Sequence, residues 1–69
     1  MIEFELKKHE YITLNNLLKF LGYVQTGGEA NQRIENGEAL VNNIVEKQKR
    51  KKLRVGDKIL FQNKTIIIK

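Results

Sequence analysis

Six of the eight residues in Lys47-Gln48-Lys49-Arg50-Lys51-Lys52-Leu53-Arg54 are cationic, and no other stretch of the chain is so specialised. Its chemistry is electrostatic, because a local positive field attracts a polyanion more strongly than the same charge dispersed. Groups for covalent catalysis are scarce by comparison. Cysteine and serine are absent, which leaves Thr13, Thr26, Thr65, Tyr11 and Tyr23 as hydroxyls and His9 as the single imidazole. An activated nucleophile needs a base in hydrogen-bond reach and a third group to orient that base. No pair of carboxylates has a spacing suited to acid–base work, and no glycine pattern matches a P-loop or a dinucleotide fingerprint. One histidine without thiolates does not make a zinc centre. Neither an enzyme nor a metal or cofactor is expected, and a small-molecule substrate is not expected either.

The charge is also unevenly placed along the chain. Residues 1–38 carry four cations (Lys7, Lys8, Lys19, Arg33) and six anions (Glu3, Glu5, Glu10, Glu29, Glu35, Glu38), a net −2. Residues 39–69 carry nine cations against Glu46 and Asp57, a net +7. Lys47, Lys49, Arg50, Lys51, Lys52 and Arg54 are therefore the first candidates for phosphate contacts. Arg50 and Arg54 can also stack on bases or fork onto a phosphate. Lys19, Asn15, Asn31 and the Thr26-Gly27-Gly28 segment form a second group. For Asn15 and Asn31 the competing reading is simple solvent exposure. Tyr11 can stack on an unpaired base or pack in the core, and both readings stand. Tyr23 reads as a core residue with its hydroxyl at the surface.

These residues need elements to position them. Ile2-Glu3-Phe4-Glu5-Leu6 alternates strictly and predicts a half-buried strand, with Lys7–Ile12 as a connector. Leu14, Leu17, Leu18 and Leu21 recur at helical spacing, so a first helix is expected over about Leu14–Leu21, with Thr13 as N-cap and Gly22 as terminator. Tyr23 then packs back on Leu18. Thr26-Gly27-Gly28-Glu29 is a T-x-x-E capping box, in which Thr26 caps the Glu29 amide and Glu29 reaches back to the Thr26 amide. It opens a second helix over about Gly28–Asn36, ended by Gly37. Two glycines in a first turn are unfavourable, which calls for close packing against the first helix, for an anion approaching bare amides, or for both together. Beyond Gly37 the period becomes that of strands: a hairpin over Ala39–Val45 about Asn42-Asn43, the basic run, a turn at Val55-Gly56-Asp57, and strands Lys58–Phe61 and Thr65–Ile68 around Gln62-Asn63-Lys64.

The expected order is β-α-α-β-β-β-β, an α+β domain spanning residues 1–69 with the first strand free to pair at a sheet edge. Leu14, Leu17, Leu18, Leu21, Ala30, Ile34, Leu40, Val41 and Ile59 are its expected core. A chain this short buries only ~60% of the surface its unfolded form exposes, so without bridges or metal the apolar core must suffice. No apolar run reaches the length of a membrane span and no signal peptide is recognisable, so a cytosolic monomer away from membranes is expected.

From Thr13 to Ile59 the sequence resembles the S-four RNA-binding domain, also called the alpha-L RNA-binding motif. The resemblance rests on Leu17-x-x-x-Leu21-Gly22, the Thr26/Glu29-Ala30 helix start with Ile34 and Gly37, Leu40-Val41-Asn42, and Val55-Gly56-Asp57-Lys58-Ile59. Thr26-Gly27-Gly28-Glu29-Ala30 and the short length are most similar to the stand-alone bacterial members, the YaaA/YbcJ type. The resemblance implies a helix pair packed on a small, mainly antiparallel sheet, and a non-catalytic protein that binds structured RNA, ribosomal RNA among the candidates. Many members carry cations on the second helix, but the matching positions here are Gly27, Asn31 and Glu35, and the position after the Asn42-Asn43 turn is Ile44. The charge has moved into Lys47–Arg54. RNA binding through this basic loop and the second helix's amino terminus is the leading expectation. The alternative is an interaction module whose basic loop meets an acidic protein.

Overall fold

The computed structural model describes residues 1–69. Nine elements follow in order: β1 (Ile2–Phe4), β2 (Ile12–Thr13), α1 (Leu14–Phe20), α2 (Gly27–Glu35), β3 (Ala39–Val41), β4 (Ile44–Val45), β5 (Lys52–Leu53), β6 (Lys58–Phe61) and β7 (Lys64–Ile68). The expected α+β class holds, with two helices on a mainly antiparallel sheet. That sheet runs β1-β7-β6-β3-β4, and only the β1–β7 pair is parallel. The first strand does take a sheet edge, as expected. Two short strands were not foreseen. Ile12, read as the end of a connector, and Thr13, read as a helix N-cap, pair antiparallel with Lys52-Leu53 from the basic run. Two-residue strands offer no periodicity to detect.

Both helices stop as their glycines require. Gly22 has φ +78°, its amide donates to the Lys19 carbonyl, and the Tyr23 amide donates to Leu18. Gly37 repeats the arrangement with Ile34, while the Glu38 amide donates to Arg33. These are Schellman closures, which satisfy carbonyls a helix end would leave free. The two hairpins turn on Asn42-Asn43 and Gln62-Asn63, all four with positive φ, so the twist of each turn matches that of its strands. The second turn is one residue shorter than expected, and β7 accordingly begins at Lys64 rather than Thr65.

Fourteen apolar side chains form one buried cluster, and no polar residue joins them. Leu14, Leu17, Leu18, Ala30, Ile34, Val41 and Ile59 are there as expected. Leu21 and Leu40 are only half-buried, because Leu21 is already the C-cap of α1 and Leu40 faces away from β3's buried side. Leu6, Val24, Ala39, Leu53, Phe61, Ile66 and Ile68 complete the core. Tyr23 is half-buried and stacks on Phe61 with ring centroids 6.3 Å apart. Its hydroxyl lies buried without a partner rather than at the surface as expected.

The helix starts differ from expectation in detail. Thr13 has the extended backbone of an N-cap, but its hydroxyl donates to Asn15 Oδ1 (2.8 Å) instead of capping. The free amides of Leu14 and Asn15 donate to the carbonyls of Lys51 (2.9 Å) and Lys49 (3.0 Å). At α2, Thr26 Oγ1 accepts from the Glu29 amide (3.0 Å) as foreseen, whereas the Glu29 carboxylate accepts from the Gln25 amide (2.9 Å), one residue before the one expected. Gly27 and Gly28 are not packed closely. A methyl at Gly27 would meet nothing within 4 Å, and one at Gly28 only Thr26 Oγ1 at 3.9 Å.

Two stability results follow. Leu53 is fully buried although it sits among cations, so Leu53→Ala should lower the unfolding free energy by about 2–5 kcal/mol in urea titrations. Gly27→Ala and Gly28→Ala should each stabilise by about 0.4–1 kcal/mol, because the unfolded chain loses freedom and the folded one meets no clash. A destabilised alanine variant would mean that the glycine conformation itself is required.

Candidate nucleic-acid interface

The basic run reaches the surface through three kinds of backbone. Lys47–Lys51 form a loop, Lys52 and Leu53 form β5, and Arg54 opens the next turn. With Leu53 pointing into the core, its neighbours Lys52 and Arg54 must point outward, since side chains alternate along a strand. Across the ladder Ile12 faces Leu53 and Thr13 faces Lys52, which brings Tyr11 and Thr13 to the same outer face. The hydrogen bonds from Leu14 and Asn15 then fix the loop against the amino end of α1.

This docking brings part of the second group to the run. Asn15 Nδ2 donates to Asn31 Oδ1 (3.1 Å), so the two asparagines bridge α1 and α2 beside the loop. Asn15 Oδ1 is occupied as well, accepting from Thr13 and from the Asn16 amide (2.8 Å). Both asparagines are half-buried, not plainly solvent-exposed. Tyr11, Thr13, Asn15, Asn16, Arg50 and Lys52 together line one shallow polar cleft. Thr13 and Asn16 were not among the expected contact residues, and Tyr11, left open between base stacking and the core, lies on the surface. The clue lay in Tyr11-Ile12-Thr13, whose outer-inner-outer alternation is meaningful only once its partner strand is known.

Other candidates do not line that cleft. Lys19 lines an adjoining groove with the amino-terminal segment, among Glu3, Glu5 and Glu10, and the two share Tyr11, Thr13 and Asn16. Thr26 is engaged in the α2 cap. The amides of Gly27 and Gly28 have no protein acceptor, but the Glu29 carboxylate already sits at that helix end.

The cations are unusually free. Within the run only Lys49 meets a carboxylate, Glu35 at 3.5 Å across an exposed pair. Lys47, Arg50, Lys51, Lys52 and Arg54 form no ion pair. Arg33, the cation of α2, is by contrast committed to Glu38 (3.2 Å) and Glu29 (3.5 Å). The Glu38 hydrogen bond, with smaller contributions from Glu29, raises the Arg33 pKa. The α2 surface therefore offers no free positive charge, and the loop supplies it. Such a surface can neutralise a run of phosphates without first breaking internal pairs. There is no cluster of three or more His, Asp or Glu side chains able to hold a metal.

Comparison with known proteins agrees with this architecture. Residues 4–69 match the S4 domain family. Over 66 residues the chain is 33% identical to the protein of Escherichia coli (strain K12) named "Putative RNA-binding protein YbcJ", covering 96% of this chain and 94% of that one. YbcJ of Shigella flexneri matches to the same extent. The solution structure of E. coli YbcJ, described as revealing an alfaL motif involved in RNA-binding, superposes with a TM-score of 0.73 at 32% identity over 99% of this chain and 86% of that one. With the helix pair, the sheet and the match over nearly its whole length in agreement, this chain belongs to the S4 domain family and carries the alpha-L motif.

Proposed function

We propose that this protein binds structured RNA without catalysis, using the loop Lys47–Lys51 with Lys52 and Arg54 as its phosphate-contacting surface. The observation that carries this reading is the set of five cations without carboxylate partners, held on a backbone that is hydrogen-bonded to α1. A solvated tail of equal charge would lose more conformational freedom on binding than this tethered loop. Family membership adds support, since the relative YbcJ is named for RNA binding and its structure is described in the same terms. Asn15 and Asn31 border the loop and supply positioning contacts. The Gly27 and Gly28 amides offer a weaker second contact, opposed by the charge of Glu29. Ribosomal RNA is the first target to test, because it is the most abundant structured RNA available to such a surface.

The test uses salt. Each neutralised phosphate contributes about −0.7 to −0.9 to the slope of log affinity against log salt. Replacing Lys49, Arg50 and Lys52 together with glutamine should make that slope shallower by about two to three. Folding stability should change by about half a kcal/mol or less, as these side chains are exposed and hold no core or cap position. A double Lys64→Gln, Lys69→Gln variant, altered away from the loop, should have a smaller effect per charge. Equal losses per charge would reduce the loop to a diffuse attractor. If structured RNA does not bind, while an acidic protein does and is not displaced by RNA, the reading becomes that of a protein-interaction module.

A further inference from the structure

Tyr11 is 39% exposed on the outer face of the β2–β5 ladder, and two cations lean over its ring. Lys52 Nζ lies 5.0 Å from the ring centroid and Arg54 Cζ 5.5 Å. The arrangement follows from register. With Thr13 opposite Lys52 and Ile12 opposite Leu53, Tyr11, the residue just before β2, falls opposite Arg54, so its ring meets one cation across the ladder and the other on the diagonal. Phe20 is more exposed than Tyr11, at 73%, but its ring packs edge-on against Phe4 and no cation lies over it. Tyr11 alone combines an accessible aromatic face with adjacent free positive charge at the mouth of a polar cleft.

An aromatic ring beside mobile cations suits a nucleotide better than it suits a bare phosphate. Exposed cation–π contacts are weak, about 0.5–1 kcal/mol, so either cation can leave the ring at little cost. A nucleotide satisfies both groups at once, because its base stacks on the ring while its phosphates take the cations. Asn16 completes the cleft with a carboxamide that makes no hydrogen bond in the protein, and it can address a base edge. Bases inside a continuous duplex present neither an open face nor a free pairing edge, so the ligand must expose an unpaired base.

Resting on the RNA-binding reading above, we propose that Tyr11 is a stacking platform for one unpaired nucleotide, and that the RNA bound is a helix interrupted by a bulge or an internal loop. Phosphates flanking that nucleotide lie against Arg50, Lys52 and Arg54. Double-stranded RNA without an interruption uses the charge alone.

The probes are a short RNA duplex carrying a single bulged 2-aminopurine nucleotide and the same duplex without the bulge. The native protein should prefer the bulged duplex by about ten-fold and change the 2-aminopurine fluorescence on binding, since base–aromatic stacking commonly carries a factor of that size. Tyr11→Leu should abolish the preference while leaving the salt slope unchanged, and Tyr11→Phe should retain it. Melting curves of both variants guard against a general loss of fold, and the fluorescence measurement needs no variant. Equal affinity of the native protein for both duplexes would overturn the stacking proposal. So would an equal loss on both duplexes in Tyr11→Leu. In either case RNA binding by the loop survives if the Lys49, Arg50, Lys52 variant still flattens the salt slope. Absence of binding to both duplexes would end both readings together.

Discussion

The amino end of α1 has amides at Leu14 and Asn15 that no residue within the helix can satisfy, and it takes acceptors from Lys51 and Lys49. An unsatisfied buried amide costs about 1–3 kcal/mol, so these two bonds fix where the basic loop must lie. The β2–β5 ladder and the burial of Leu53 reinforce them from the adjoining side. A segment whose charges would otherwise drive it into solvent is held at three successive points. Helix α1 cannot be capped as it is unless the loop is in place.

Charge placement follows from that tether. The loop's carbonyls face the positive end of α1, and its cationic side chains turn toward solvent. Acidic residues elsewhere could have neutralised them, yet most are engaged with other partners. Glu29 and Glu38 hold Arg33, Glu46 accepts from the Gln48 amide, and Asp57 accepts from the Arg54 amide and Asn42. Only Glu35 pairs with a cationic side chain of the run. The surface next to the helix pair thus keeps its positive field, although α2 contributes no free cation to it.

The turn after the basic run serves the sheet. Asp57 accepts from Asn42 Nδ2 (3.1 Å), and Asn42 Oδ1 in turn accepts from the Lys58 amide (3.0 Å). These bonds join the β3–β4 turn to the start of β6 and set the register on which Val41 and Ile59 meet. The same residues that mark the family resemblance, Asn42 and Val55-Gly56-Asp57, are therefore largely structural in what they do here.

The sequence by itself determined most of what depends on local pattern. Leucine spacing placed α1, the T-x-x-E box and Gly37 bounded α2, the Asn42-Asn43 pair placed the first hairpin, and the concentration of cations in residues 47–54 is visible in the sequence alone. The misread details were those that depend on a distant partner. Thr13 has the chemistry of a cap, but its hydroxyl is diverted to Asn15 because loop carbonyls already serve α1. Glu29 bonds Gln25 rather than Thr26 because its reach is set by the course of the incoming chain. The tyrosines divide for the same reason: Tyr23 stacks its ring on Phe61 and buries its hydroxyl, whereas Tyr11 is left outside on the ladder. Only the tertiary structure decided that the basic run is partly a strand, that Leu53 within it is core, and that Tyr11, Asn15 and Asn16 share a cleft with Arg50 and Lys52. Those facts rest on the pairing of residues 12–13 with residues 52–53, about forty positions apart, and a two-residue strand leaves no period in a sequence from which such a pairing can be read.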